Sequence, residues 1–148
     1  MNTEQENKPQ QRMLILREVA LLADKPTFYN KAEELGKKAA EALTDRKRSQ
    51  ITGLESLANS AFKTSDVFDF IKLRLARQDE WRKSNWGEDL LNFLSRDLRE
   101  HRKMICKNLI PQIESDSPGG LEIHLLLIRE FIRQLAAHYE YACKVQQR

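Results

Sequence analysis

Apolar residues recur along this chain at steps of three and four, the signature of helices with one buried face. From Gln11 to Ala23 they are dense: Met13, Leu14, Ile15, Leu16, Val19, Ala20 and Leu22. This predicts a first helix, ended at Asp24-Lys25-Pro26 because the residue before a proline is pushed out of the α region. With Thr27 as N-cap, a second helix over 28–43 buries Tyr29, Ala32, Leu35, Gly36, Ala39 and Leu43. Thr44-Asp45 opens a third, with Ile51, Leu54, Leu57, Ala58, Ala61 and Phe62 at helical spacing. A Thr-Ser-Asp break at 64–66 caps a fourth, whose apolar face is Val67, Phe68 or Phe70, Ile71 and Leu75. Asn85 with Glu88 resembles a capping box for a fifth, carrying Leu90, Leu91, Leu94, Leu98, Ile105 and Leu109 up to Pro111. After a Glu114–Gly120 loop, a long last helix starts near Pro118. Its stripe, His124, Ile128, Phe131, Leu135, His138, Ala142 and Val145, suits the centre of a bundle.

Composition agrees with this pattern. Five Gly and four Pro are too few for the frequent turns of a β-sandwich or barrel. Charged residues at 32% fit helices that keep one face in water. The expected fold class is all-α, a compact bundle of five or six helices. Residues 1–10 are polar and expected to form a disordered tail, with 11–148 as one domain.

The inventory for catalysis is poor. There is no His-Glu-x-x-His, no Cys-x-x-Cys, no phosphate-binding Gly loop and no nucleophile elbow. His101, His124 and His138 are scattered, and the last two lie on an apolar stripe, where a packed imidazole is the plain reading. The pairs Glu33-Glu34 and Glu88-Asp89 are sequence neighbours and do not face each other on a helix. Cys106 and Cys143 read as free thiols. No catalytic residue, no metal and no cofactor is expected. With a polar start and no long apolar run, a cytoplasmic protein without membrane contact is expected.

The cations say more. Net charge is only +3, so any nucleic-acid surface must come from local clustering. Arg46-Lys47-Arg48 forms a basic knot at a helix start, where cations oppose the helix dipole. Lys72, Arg74 and Arg77 follow on the fourth helix, with Arg82-Lys83 beyond them. Arg96, Arg99, Lys103 and Lys107 are spaced to share one face of the fifth helix. A helical rise per turn of about 5.4 Å lets such a stripe follow a phosphate backbone. An ordinary solvated face accounts for the same pattern. Trp81 and Trp86 bracket the segment Arg82–Asn85, and either staple two helices or stack on bases.

Three stretches resemble the small, all-helical Csm-type subunit of type III CRISPR effector complexes. They are Ser49-Gln50-Ile51 with Leu54 after a basic turn, the apolar-basic run Ile71–Arg77, and Phe131–Tyr141 with Ala137 and Tyr141 in matching places. The likeness spans about residues 30–143. Thr52 stands where the family has a basic residue, and Ala76 where it has Gly; Asp79–Gly87 has no family counterpart. The resemblance implies a non-catalytic subunit that stacks in several copies beside other subunits, along the backbone of guide and target RNA. Together with the misplaced cations at the helix start, it puts Arg46, Lys47, Arg48, Gln50, Arg74 and Arg77 at the RNA; by its spacing, the stripe Arg96, Arg99, Lys103 and Lys107 is a reserve site that could instead face a neighbouring subunit.

Two other readings stay open. A helical protein–protein adaptor or regulatory bundle would scatter its basic groups over the surface. A helix-turn-helix DNA-binding regulator would use the third and fourth helices, although the 62–66 link lacks the usual Gly turn.

Overall fold

The computed structural model describes the backbone of residues 3–146 and the side-chain surroundings of residues 8–145. Six helices make an all-α bundle: α1 (Thr3–Ala23), α2 (Pro26–Leu43), α3 (Arg48–Ser60), α4 (Thr64–Arg77), the rod α5, and α6 (Pro118–Gln146). The rod α5 joins α-helical Trp86–Asn92 to α-helical Leu98–Leu109 through a π-helical turn, Phe93–Asp97. Among the described residues there is no strand.

The centre is α6, which touches each of the other five helices. Its buried face is wider than one stripe. Leu127, Ile132 and Tyr139 are buried beside the expected Ile128, Phe131, Leu135 and Ala142, while His138 is half-buried and Val145 exposed. A helix surrounded by others needs apolar residues on more than one side. Phe131 anchors the core edge-on to Phe28 (5.4 Å between centroids) and tilted against Phe93 (4.4 Å).

Several local expectations are corrected. Helix α1 begins at Thr3 and so runs through part of the polar stretch 1–10. That stretch is rich in Glu, Gln and Lys, which lose little rotamer freedom in a helix. Met1 and Asn2 lie outside the described residues. Helix α2 starts with Pro26 at its first position, not after a Thr27 cap, because proline's missing N–H costs nothing there. Its buried stripe is Phe28, Ala32, Leu35 and Ala39; Tyr29, one step round the helix, is exposed. Asn85 is left-handed (φ 59°) and makes no capping bond. Among the described side chains of α1 only Val19, Leu22 and Ala23 are buried, and Met13, Leu14 and Leu16 face water. Phe62, expected on the apolar face, is 99% exposed on the link after α3.

Gly36 sets the crossing of α2 and α6. A Cβ there would stand 2.6 Å from the His138 Cβ and 2.9 Å from the Leu135 carbonyl oxygen, so only glycine lets α2 lie this near α6.

Candidate nucleic-acid interface

Thr44 leaves α2 and its hydroxyl accepts the Arg46 backbone N–H (3.4 Å), which starts a 3₁₀ turn, Asp45–Lys47, leading into α3. This turn carries the basic knot and packs beside the end of α4. Two of the three sequence-predicted basic groups therefore adjoin. Gln78, next to Arg77, accepts from Lys47 Nζ (3.4 Å) and from Gln50 Nε2 (2.7 Å).

Acidic side chains are interleaved with this cluster. Lys47 pairs with Glu80 (3.0 Å), and Arg48 makes a two-pronged ion pair with Glu140, its Nε donating to Oε1 at 2.7 Å. A backbone hydrogen bond, then the bond from Lys47, holds the Glu80 carboxyl below the usual carboxylate range. The knot at the helix start thus has partners on the Asp79–Trp81 turn and on α6. Arg74 lies half-buried with its guanidinium 4.7 Å from the Phe70 ring centroid. Arg46 and Arg77 are exposed, without an ion-pair partner among the described residues.

Gln50 has a different employment from the expected one. Its Oε1 accepts the Trp81 indole N–H (2.6 Å) while its Nε2 binds Gln78. Both ends of the amide are engaged inside the fold, so Gln50 positions Trp81. The two indoles are buried and tilted against each other at 4.5 Å, with Trp86 Nε1 donating to the Glu80 carbonyl (2.9 Å). They staple α4 to α5. A Cβ on Gly87 would meet the Trp81 carbonyl oxygen at 2.4 Å, which explains the glycine at the second position of the rod. Base stacking by either ring is excluded by their burial.

The reserve stripe on α5 is less neutralised. Arg96, Arg99, Lys103 and Lys107 are all exposed, and only Lys103 has an acidic partner among the described residues, Glu100 at 3.6 Å. Arg99, Lys103 and Lys107 share one α-helical segment at steps of four and hence one face. Arg96 lies in the π turn.

Sequence reasoning missed Arg102, set among those cations but buried. It pairs with Asp116 (2.9 Å), donates to Ser115 Oγ (3.2 Å) and meets His124 Nδ1 (3.3 Å). His124 Nε2 binds the Leu94 carbonyl at 2.7 Å. That carbonyl is free because the π turn sends the Leu98 N–H to Phe93 instead. With Arg102 only able to donate, Nδ1 must be the acceptor and Nε2–H the donor. Burial, together with Arg102 and Arg99, lowers the His124 pKa to about 4.

No group of three or more metal-ligating side chains occurs among the described residues. No helix among them is long and apolar enough to cross a membrane. Compared with protein-family models, with characterised proteins and with solved structures, the chain matches none.

Proposed function

We propose that this protein is a non-catalytic, RNA-backbone-binding subunit of an RNA-guided effector assembly, working in the cytoplasm beside other subunits and further copies of itself. The observation that carries the reading is the α5 stripe. Arg96, Arg99 and Lys107 are exposed cations with no acidic partner among the described residues, in line along one rod. The resemblance of residues 30–143 to the Csm-type small subunit supports the same reading. The phosphate-contacting face moves, relative to the resemblance, from the knot at 46–48 to this stripe, with Arg46 and Arg77 as flanking contacts. Lys47 and Arg48 are already satisfied by carboxylates, and an RNA phosphate would have to displace those partners.

Contacts to phosphate carry no sequence information, so binding is sequence-tolerant and strongly salt-dependent. The test titrates a mixed-sequence single-stranded RNA at several salt concentrations against the wild type and the Arg96, Arg99, Lys103 and Lys107→Ala variant. The log–log slope should flatten by roughly 0.7 for each cation removed. An unchanged slope in a folded variant refutes this face as the RNA surface.

One observation favours a protein–protein adaptor as the second reading. Met13, Leu14, Leu16 and Leu21 are exposed on α1, an apolar surface that RNA phosphates do not use. The helix-turn-helix reading has less support, because the outer face of α4 sets Asp69 among Lys72 and Arg77.

A further inference from the structure

On the side of the bundle where α2 and α6 cross, the end of α1 closes an open cleft of about 500 Å³. It lies within the volume range of small-molecule sites. Spacing alone assembles it: Tyr29 and Glu33 are one helical turn apart on α2, and Gln134, His138 and Tyr141 follow at steps of four and three on α6. Asp24 completes it from the end of α1. The Gly36 crossing brings His138 against Tyr29, ring edge to face at 4.9 Å.

Gln134 makes this cleft unusual. The side chain is only 8% exposed, and its Nε2 donates to the Ala23 carbonyl at 3.0 Å. That bond fixes the amide orientation and leaves Oε1 buried with no donor among the described residues. A buried acceptor without a partner is costly, and a ligand N–H would satisfy it. The surrounding chemistry specifies what carries the N–H. Two carboxylates face the cleft, Asp24 without an ion-pair partner among the described residues and Glu33 held only by an exposed Lys37 at 3.7 Å. Tyr29 and Tyr141 are exposed aromatic side chains, and the faces of such rings attract cations. The one cation on the rim, Arg133, is tied to Glu130.

We propose that this cleft binds a guanidinium group, stacked on Tyr29 and Tyr141, paired with Asp24 and Glu33, and donating to Gln134 Oε1. A planar guanidinium offers several N–H donors together with a face that stacks, which a compact ammonium does not. The site is separate from the cationic stripe, and its carboxylates repel phosphate, so it stands or falls independently of the RNA reading.

The full chain is titrated with agmatine and, in parallel, with a blocked Gly-Arg-Gly tripeptide, followed by NMR and calorimetry. A blocked Gly-Gln-Gly tripeptide is the control. Saturable binding of either guanidinium ligand, absent for the control, with shifts at Tyr29, His138 and Tyr141, is the expected result. Asp24→Asn, Tyr29→Ala and Gln134→Met should each weaken it about fivefold or more. The first two change exposed positions, so the test holds even where Gln134→Met fails to fold. Tighter binding of agmatine assigns a free small molecule as the source, and tighter binding of the peptide assigns an arginine of a partner protein. No saturable binding, or binding indifferent to Asp24→Asn and Tyr29→Ala, overturns the proposal.

Discussion

The fate of individual polar side chains separates structural from functional positions in this protein. Gln50 sits in a motif that resembles an RNA-facing element, yet its amide is spent on Trp81 and Gln78. Gln50→Leu strands the buried indole N–H, so it should cost about 1–3 kcal/mol in urea melts and leave the salt slope of RNA binding unchanged. His124 gives a second residue-scale outcome. Its folded pKa is about 4, below the ordinary 6.5, so between those values the unfolded chain binds the extra proton. Stability from this group is therefore complete above about pH 6.5 and falls as pH drops toward 4. The full shift corresponds to about 3 kcal/mol. His101, also lowered by burial, adds in the same direction. Chemical denaturation of wild type and His124→Gln between pH 4 and 7 checks this. The variant should start less stable and lose most of the slope. An equal slope in both would mean that burial and the neighbouring Arg102 do not hold the imidazole neutral.

At the scale of elements, α6 organises the rest. Phe131→Ala and Leu135→Ala remove side chains with no exposure, so each should cost about 2–5 kcal/mol. Gly36→Ala adds a methyl where the nearest obstacles include the α6 backbone, and should cost about 1–3 kcal/mol. Near-neutral melts for all three would remove α6 from the centre. The six helices and the primacy of α6 were legible in the three-and-four spacing of apolar residues, because burial of one face is what that spacing encodes. Phe28 was not, because a stripe at 28, 32, 35 and 39 and one at 29, 32, 35 and 39 read almost alike until a partner helix chooses. The π turn was illegible too. It inserts no marker residue, and it shows only in the Leu98-to-Phe93 bond and the carbonyl it frees for His124.

At the scale of the whole molecule, the question is which cations the fold keeps for itself. The sequence displayed three basic groups but not their partners, because Glu80 and Glu140 lie 33 and 92 positions from Lys47 and Arg48 and meet them only through the tertiary fold. Arg102 was hidden for the same reason, its loop partners invisible in a run without nearby acids. The two surfaces should respond oppositely to neutralisation. Lys47→Ala with Arg48→Ala breaks two partly exposed cross-element pairs, each worth about 0.2–1 kcal/mol, so the double variant should lose up to about 2 kcal/mol. Arg99→Ala with Lys103→Ala removes like charges one turn apart on α5, a repulsion of about 0.2–0.5 kcal/mol, at the loss of one exposed Lys103–Glu100 pair of similar size. That variant should melt within about 0.5 kcal/mol of the wild type while losing RNA affinity at low salt. If the knot variant instead keeps its stability and loses RNA while the α5 variant binds normally, the carboxylates at Glu80 and Glu140 yield to phosphate, and the backbone path runs across the start of α3.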